Sequence, residues 1–504
     1  MEPVTPDRQS WIVDMLRLAL HVRPDRCTRK RCLYEALRAR IQAGELVAGA
    51  RLPSSRVLAQ ELAIGRNTAL AALDHLVAEG FVDARPGAGL YVAEIGFTAP
   101  AFVDLPVASR PTGISQRGRS LLGFSKTARS STGAFVPGLP ALDAFPWPAW
   151  QRLLRRHRHR QRGPWLAYGA TGGHPALKAA IADYARLVRN VRCEAGQILV
   201  THGAQHAFDL IARMLADAGD IAWVEEPGYA GAKAAFTAAG LTVAAVPIDG
   251  AGLDPSAATA ATNSPRLIHL TPSNQYPMGR TMSMTRRQEL IEYAARYGAW
   301  IVEDDYDSEF RYVSSPLSAL QGLTERPPVL YVGTFSKTMY PGLRLGYIVL
   351  PPALVEPMRQ ANVRQFREGD YAIQAALAEF MNNGGYAKHV ARMRRLYIQR
   401  QQRLREVLAS VMPSGEHGLV GGSAGLHMVM PLASHALERE LVVSAAEQNI
   451  ALSPLSDYYA GTASRPGLVL GYANVDTAEI DRAGRWLGRA HQRFGQAGES
   501  PGPS

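Results

Sequence analysis

The sequence predicts two domains of different class: an α+β winged helix-turn-helix followed by a large α/β domain built on a mostly parallel sheet. The chain has 504 residues, which is more than a single hydrophobic core supports. Residues 31–95 contain helical patterns followed by a hairpin pattern. Residues 134–490 alternate short apolar runs with helical stretches, an order that is typical of a sheet covered by helices on both faces.

The small domain combines three predicted helices with a hairpin. Residues 33–41 repeat apolar side chains at helical spacing, Pro53 precedes the second helix, and Arg66 opens the third. Residues 81–92 form two strand patterns around a Pro-Gly-Ala-Gly turn. In such a winged helix, the start of the last helix enters the major groove of DNA. The candidate DNA-binding residues are therefore Arg56, Arg66, Asn67, Thr68, Gly87 and Gly89.

Three segments lie outside the two domains. Residues 1–30 form an N-terminal extension without an assigned role, and residues 491–504 are predicted to be a disordered tail. Residues 96–133 are rich in Pro, Ser, Thr, Gly and Arg, which predicts a flexible basic linker. Residues 96–165 hold 11 Lys/Arg against 2 Asp/Glu, so 11 − 2 = +9 of the chain's net +11 lies there. This region is either a solvated tether or a segment close to DNA phosphates.

A lysine and a run of acids mark the candidate chemistry of the large domain. Asp304 follows the apolar strand pattern Trp300–Val302, and Lys337 follows the strand pattern Val329–Val332. Ligands of such sheets sit at the carboxyl ends of the strands. A buried carboxylate can keep a pyridine nitrogen protonated, and a lysine amine can form a Schiff base with an aldehyde. The pair therefore predicts pyridoxal 5'-phosphate (PLP) as the cofactor and Lys337 as the catalytic residue.

Further residues could supply the remaining contacts to PLP. Free amides at the start of the helix that follows Gly203 could hold the phosphate, Tyr229 could stack on the ring, and Tyr306 could bond the phenolic oxygen. Taken singly, a lysine is usually a surface charge and an aspartate usually a cap or an ion-pair partner. Because these residues occur together, in this order and at the ends of predicted strands, a cofactor site is favoured over these separate roles. The cofactor-binding candidates are Gly203, Ala204, Gln205, Tyr229, Asp304, Tyr306, Thr334, Ser336, Lys337 and Arg344, and no metal site is expected.

These motifs resemble two known families. The Leu-Pro-Ser-Ser-Arg block, the Arg-Asn-Thr helix start and the Gly-x-Gly turn resemble the GntR family of winged-helix regulators. The Pro272–Gly279 loop and the Gly-Thr-Phe-Ser-Lys block resemble fold-type I aminotransferases. Together, the chain resembles the MocR/GabR subfamily of GntR regulators. The resemblance implies PLP held by Lys337, a head-to-tail domain-swapped homodimer, and control of transcription through operator DNA in response to a small amine or to PLP.

Val469 is the main departure from that resemblance. Aminotransferases place an arginine at this position to bind the substrate carboxylate, and valine cannot do so. This weighs against a catalytically active PLP-dependent aminotransferase with an autoregulatory DNA-binding domain, which is the first alternative function. A regulator for which PLP itself is the signal and a cofactor-free scaffold are two more candidates. The intact set of Asp304, Lys337 and Arg344 argues against the scaffold.

Apolar runs and cysteine content indicate where in the cell the protein is expected. No apolar run approaches the roughly 18 residues that span a bilayer, and the start of the sequence lacks the pattern of a signal peptide. The three cysteines, Cys27, Cys32 and Cys193, form no CxxC pair. A cytoplasmic protein without a disulfide framework is therefore expected.

Overall fold

The computed structural model describes residues 8–21, 28–94, 113–123, 132–160, 163–167, 169, 172–261, 263–313, 317–366, 369–412 and 418–497. The chain divides into two compact units, Met1–Thr112 and Gly113–Ser504. Within the described ranges, no helix is long and apolar enough to cross a membrane.

The first unit is a winged helix-turn-helix, as predicted. Its elements are α1 (Arg8–His21), α2 (Arg29–Gln42), α3 (Ser55–Glu61), α4 (Arg66–Ala78), β1 (Val82–Arg85) and β2 (Gly89–Val92). The strands pair antiparallel to form the wing. Ser54 caps α3 by accepting a hydrogen bond from the amide of Val57 at 3.3 Å. Leu37, Leu58 and Leu73, from three different helices, are buried in one core.

Helix α1 belongs to that core, although the sequence assigned it no role. Ile12 and Leu16 are buried among the same apolar side chains, and Arg17 bonds Glu61 of α3. The predicted boundary at residue 31 therefore divides a continuous packing unit. Cys32 on α2 is disulfide-bonded, contrary to the expectation of a chain without disulfides, whereas Cys193 of the second unit is free and buried.

The second unit is organised around a seven-stranded, mostly parallel sheet. Its strands are β3 (Ile198–Thr201), β4 (Ile221–Glu226), β5 (Thr242–Pro247), β6 (Leu267–Leu270), β7 (Trp300–Asp305), β8 (Val329–Thr334) and β9 (Gly346–Val349). They lie in the order β3-β9-β8-β7-β6-β4-β5. Strand β9 runs antiparallel to β3 and β8, and the other neighbours pair in parallel. Apolar runs at residues 198–200, 221–224, 243–246, 267–270, 300–302 and 329–332 predict six strands, and all six are present; β9 was not predicted.

Helices cover both faces of this sheet. The helices of the unit are α5 (Gln116–Leu122), α6 (Trp147–Arg160), α7 (Pro175–Arg189), α8 (Ala204–Leu215), α9 (Ala230–Ala239), α10 (Pro255–Ala261), α11 (Met284–Tyr297), α12 (Val355–Gln365), α13 (Tyr371–Asn382), α14 (Gly385–Val411), α15 (His435–Ala446) and α16 (Thr477–Ala497). Successive strand residues point to opposite faces, so Val302 packs with Phe208 of α8 while Ile301 packs with Leu290 of α11.

A second, smaller sheet follows near the C-terminus. It consists of β10 (His427–Pro431), β11 (Ser453–Pro454) and β12 (Gly467–Gly471) in the order β10-β12-β11, all antiparallel. Leu468 and Leu470 of β12 face the large core, whereas Val469 faces a small apolar cluster on the other side. The apolar pattern of the sequence does not separate this sheet from the rest of the domain.

Two further predicted boundaries differ from the structure. The range predicted as a linker contains α5, which packs on α9 through a hydrogen bond from Arg117 to the carbonyl of Ala238 at 3.3 Å. The predicted disordered tail overlaps α16, which continues to Ala497. In both places short helical patterns among charged and glycine residues were interpreted as irregular chain.

Candidate cofactor site and DNA-binding surface

One cavity in the second unit brings together all ten predicted cofactor-binding residues. Its volume is about 230 Å³, and it lies at the carboxyl ends of β7 and β8, beside the turn that joins β3 to α8. Parallel sheets place their ligand sites at this edge. The lining residues are Gly203, Ala204, Gln205, Tyr229, Tyr276, Asp304, Tyr306, Thr334, Ser336, Lys337, Pro341 and Arg344.

One end of the cavity is suited to an anion. Gly203 precedes α8 with a φ of 85°, a conformation that favours glycine, and no side chain caps the helix. The Thr334 and Ser336 hydroxyls lie 3.1 Å apart. A methyl group on Gly203 would come within 3.9 Å of Arg344 Nη1, so the guanidinium lies beside the helix start. A helix N-terminus, two hydroxyls and a guanidinium together form a phosphate-binding arrangement.

Asp304 presents an unsatisfied carboxylate oxygen. The side chain is 4% exposed, and among the described residues its Oδ1 has no hydrogen-bond partner. Its Oδ2 lies 3.5 Å from Nε2 of His269, the residue on β6 behind it. A buried carboxylate oxygen without a donor is costly. The cavity therefore offers an acceptor that a protonated ring nitrogen would satisfy.

Lys337 also lines the cavity, on the segment after β8. Its Nζ donates a hydrogen bond to the carbonyl of Gly138 at 2.8 Å. Burial lowers the pKa of Lys337 from its usual value, and the nearby carboxylates of Asp307 and Asp304 oppose that shift. A lowered pKa increases the fraction of neutral amine, which is the nucleophilic form.

Two tyrosines are held in place by amide side chains. Tyr306 donates to the carbonyl of Asn274 at 2.9 Å and accepts from the Asn274 Nδ2 at 3.1 Å. The same Nδ2 lies 2.9 Å from Asp307. Tyr229 accepts from Gln205 Nε2 at 3.1 Å. Both rings are thus fixed at the cavity wall before any ligand binds.

The acids around Asp304 each have a separate partner. Glu303 accepts the amides of Leu320 at 2.9 Å and Gln321 at 3.1 Å. Asp305 forms a buried ion pair with Arg189 at 2.7 Å. Burial raises the pKa of Glu303 to about 7, with the charge of Asp305 adding to the effect. The two amide donors oppose this shift, but desolvation outweighs them.

The raised pKa of Glu303 predicts a pH-dependent stability. Because the folded-state pKa, about 7, exceeds the unfolded value, 4.5, this group costs no stability below pH 4.5 and progressively more as pH rises through 7. Glu303→Gln should remove this dependence, so the stability difference between pH 5 and pH 8 shrinks by roughly 3 kcal/mol. Thermal unfolding across this range measures it. The exposed control Glu447→Gln should follow the parent, and an unchanged pH slope in Glu303→Gln would contradict the prediction.

Val469, at the position where aminotransferases have the arginine that binds the substrate carboxylate, lies in an apolar environment. Val469 is fully buried in a cluster with Tyr458, and Tyr276 of the cavity wall packs against that cluster. Arg465, four residues earlier, lines a separate cavity that is bounded by Glu226. Among the described residues that line the cofactor cavity, the cations are Lys337 and Arg344.

The candidate DNA-binding residues lie on the exposed surface of the first unit. Arg66 and Asn67 are the first two residues of α4, and both are exposed. Arg56 is exposed near the start of α3. Neither arginine forms a salt bridge with any residue in the described ranges. Gly87 and Gly89 have φ values of 74° and 112°, so the wing turn requires glycine at both positions.

Several neighbouring residues were missed by sequence reasoning. Tyr276 lines the cavity, although its loop was recognised only as a motif, and His269 was placed on a strand without a role. On the wing, Arg51 lies beside Gly89, and the Arg85 guanidinium stacks over Tyr91 at 4.4 Å. Arg51 directly precedes the recognised Leu-Pro-Ser-Ser-Arg block, so extending that motif by one residue would have included it.

Comparison with known proteins places both units in families. The model of bacterial regulatory proteins of the gntR family matches residues 30–92, and that of aminotransferase class I and II matches residues 141–486. A solved structure of LysN, an alpha-aminoadipate aminotransferase from Thermus thermophilus, aligns with a TM-score of 0.67 at 28% identity, covering 76% of this chain and 96% of that one. The protein is therefore a GntR winged helix joined to a fold-type I aminotransferase-like domain.

Relatives that share both domains define the family more closely. The chain is 40% identical over 452 residues to the probable rhizopine catabolism regulatory protein MocR of Rhizobium meliloti, covering 88% of this chain and 90% of the relative. It is 29% identical over 456 residues to the pyridoxine biosynthesis regulator PdxR of Corynebacterium glutamicum, covering 90% and 93%. The chain belongs to the MocR/GabR subfamily of GntR transcriptional regulators. The predictions of this family and of a transcriptional regulator are confirmed.

Proposed function

We propose that this regulator binds PLP in the cavity around Lys337 and controls transcription from an operator in response to an amine or to PLP itself. One observation supports the proposal most: a single cavity holds a half-buried lysine, an unsatisfied carboxylate and an end suited to an anion. The same chain contains a DNA-binding unit. A regulator with this cofactor would act in the cytoplasm, where its DNA is.

Each part of PLP has a matching group in the cavity. The phosphate fits the start of α8 with Arg344, and the protonated ring nitrogen fits the free oxygen of Asp304. Tyr306 would bond the phenolic oxygen, and Tyr229 would stack on the ring face, since both line the cavity. Lys337 would make the covalent attachment. When bound, PLP supplies an aldehyde that captures primary amines and a ring that withdraws electrons.

Asp304→Asn tests the assignment of the ring nitrogen. The change removes the negative charge that a pyridinium would bond but keeps the size of the side chain. A charge-assisted hydrogen bond contributes about 1.5–3 kcal/mol, so the affinity for PLP should fall by roughly 10- to 150-fold. Titration with PLP, followed by cofactor absorption, measures the loss. The exposed control Asp217→Asn should bind PLP as the parent does. If Asp304→Asn binds PLP as tightly as the parent, Asp304 does not bond the ring nitrogen.

The direct test of function measures operator binding in the presence of each ligand. Fluorescence anisotropy with promoter DNA should show a change in affinity when PLP is added, and a further change with an amine if an amine is the effector. An effector alters DNA affinity only by its differential binding to two states of the protein. If PLP, alone or with amines, leaves DNA affinity unchanged, the proposed sensing role is wrong.

An active aminotransferase is the alternative function. The intact lysine favours it, and relatives at 29% identity include a 2-aminoadipate transaminase of Thermus thermophilus. Val469 opposes it, because the carboxylate-binding cation is replaced by a buried hydrocarbon. Transamination with alanine, glutamate or GABA should be very slow or absent in the parent. Rapid spectral conversion by any of these common amino acids would support the enzyme instead.

The proposed assembly is a head-to-tail homodimer that binds two half-sites. The expectation comes from the family, in which each winged helix serves a symmetric operator. Sedimentation of the purified protein should give twice the mass of the 54.6 kDa chain. A monomer at micromolar concentration would contradict it.

A further inference from the structure

A second cavity adjoins the one proposed for PLP. Its volume is about 590 Å³, and it shares Tyr229 and Tyr276 as walls with the cofactor cavity. Its other walls come from the segment around Val136, from α15, and from residues 449–458. Small-molecule sites have volumes of roughly 300–1,000 Å³, so this space is large enough for the body of a ligand whose reactive end reaches the cofactor cavity.

The lining of this second cavity carries no charged side chain within the described part of the chain. Its polar groups are hydroxyls and one amide: Thr132, Asn449, Ser453 and the tyrosines, of which Tyr276 and Tyr458 have their hydroxyls 3.3 Å apart. The buried amine of Lys233 is close to Tyr458 but is paired with Glu226 at 2.5 Å. A ligand carboxylate in this cavity would therefore lose water without gaining a counter-ion.

The small sheet explains why the wall is neutral. On β12, Val469 is directly paired with Ser453 of β11, and Ser453 lines the cavity. Val469 itself is fully buried beside Tyr458 and Tyr276. Paired residues of antiparallel strands share a face of the sheet, so a longer cationic side chain at this position would extend on the side of Ser453, whereas the valine ends inside the apolar cluster.

We infer that the second cavity selects a primary amine whose remaining atoms carry no charge. The amine lies toward Lys337, and a hydrocarbon or hydroxyl-bearing body occupies the second cavity. The aliphatic residues of α15, among them Val442 and Val443, contact the hydrocarbon, and the hydroxyls of Ser453 and the tyrosines bond neutral oxygens. The inference rests on the proposed function, because it names the chemical class that the PLP-loaded site receives.

Matched pairs of amines test this selection. Phenethylamine and phenylalanine differ only by a carboxylate, and 2-amino-1,3-propanediol differs from serine by a hydroxymethyl group in its place. Calorimetric titration of the PLP-loaded protein gives each Kd, and the cofactor absorption gives an independent reading. In at least one pair, the amine without a carboxylate should bind roughly 30-fold more tightly or better, because its partner must bury an unpaired carboxylate.

A substitution at the cavity wall should reverse the preference. Val443 lines the cavity but is 65% exposed, so Val443→Arg supplies a cation without filling the core. It should reduce the discrimination against phenylalanine and serine by roughly 10-fold. Leu187→Arg adds the same charge on α7 at a position that is 86% exposed and does not line the cavity, and it should leave the discrimination unchanged.

The outcomes separate this inference from the proposed function. The inference is overturned if phenylalanine and serine bind as tightly as the matched amines without a carboxylate. It is also overturned if neither phenethylamine nor 2-amino-1,3-propanediol binds to the PLP-loaded protein. Failure of the protein to bind PLP would overturn the proposed function instead. Calorimetry on the cofactor-free protein then compares the same pairs, and an absent preference there overturns the inference on its own.

Discussion

Replacing Lys337 with alanine is expected to abolish covalent capture of PLP. In the parent, incubation with PLP followed by borohydride should fix the cofactor to the peptide that contains Lys337, as mass spectrometry will show. The expectation follows from geometry and charge: the amine lines the cavity, and burial lowers its pKa, so that more of it is the neutral nucleophile. The variant should gain no adduct and lose the absorption of the attached cofactor.

Lys388→Ala is the matched control for this experiment. Lys388 is exposed on α14 and does not line the cavity, so its removal should leave the adduct intact. Asp304 and Arg344 remain in Lys337→Ala, which should therefore still bind PLP without a covalent bond. If the adduct in the parent forms on a different lysine, Lys337 is not the residue that attaches PLP.

Replacing Arg66 with alanine should relax recognition of the operator. Arg66 opens α4, is exposed, and forms no salt bridge among the described residues, so its guanidinium is available to a base edge. Loss of a bidentate contact to a base costs about 1–3 kcal/mol, which is roughly a 5- to 150-fold loss of affinity. Anisotropy titrations with operator and random duplexes should show the loss mainly on the operator.

Arg56→Ala should behave differently from Arg66→Ala. A contact to a phosphate is independent of sequence, so both duplexes should bind more weakly, and the slope of log affinity against log salt should fall by about 1. Arg31→Ala is the control, because Arg31 on α2 is exposed and paired with Glu35 at 2.7 Å. If both test variants bind the two duplexes as the control does, the predicted orientation of the winged helix on DNA is wrong.

The sequence predicted those parts of the fold that have a local signal. The six parallel strands are apolar runs bounded by helical patterns, and each is present in the sheet. Ser54 and the wing glycines have conformational roles that residue type alone reveals. The ten predicted cofactor-binding residues meet at one cavity because most of them lie at or just after the carboxyl ends of β3, β4, β7 and β8, which share one edge of the sheet.

Other features depend on contacts that are distant in the sequence. Strand β9 could not be predicted because Gly346–Val349 follows closely after Arg344 and is too short to show a periodicity of its own. The partner of Asp305 is Arg189, more than a hundred residues earlier. Helix α1 has an apolar face, but only its packing on the core around Leu33 shows that it belongs to the DNA-binding unit.

The acidic run on β7 has a consequence for how such motifs are used to identify PLP proteins. Glu303 holds two backbone amides, and Asp305 neutralises a buried arginine, so the fold would need these acids even without a cofactor. Asp304 differs, because it is the acid of this run that lines the cavity, and its ion-pair contact among the described residues is His269 at 3.5 Å. A homologue that no longer binds PLP would therefore keep the acids at the positions of Glu303 and Asp305, whereas the residue at the position of Asp304 could be substituted. Loss of that single acid is a better marker of lost cofactor dependence than loss of the motif.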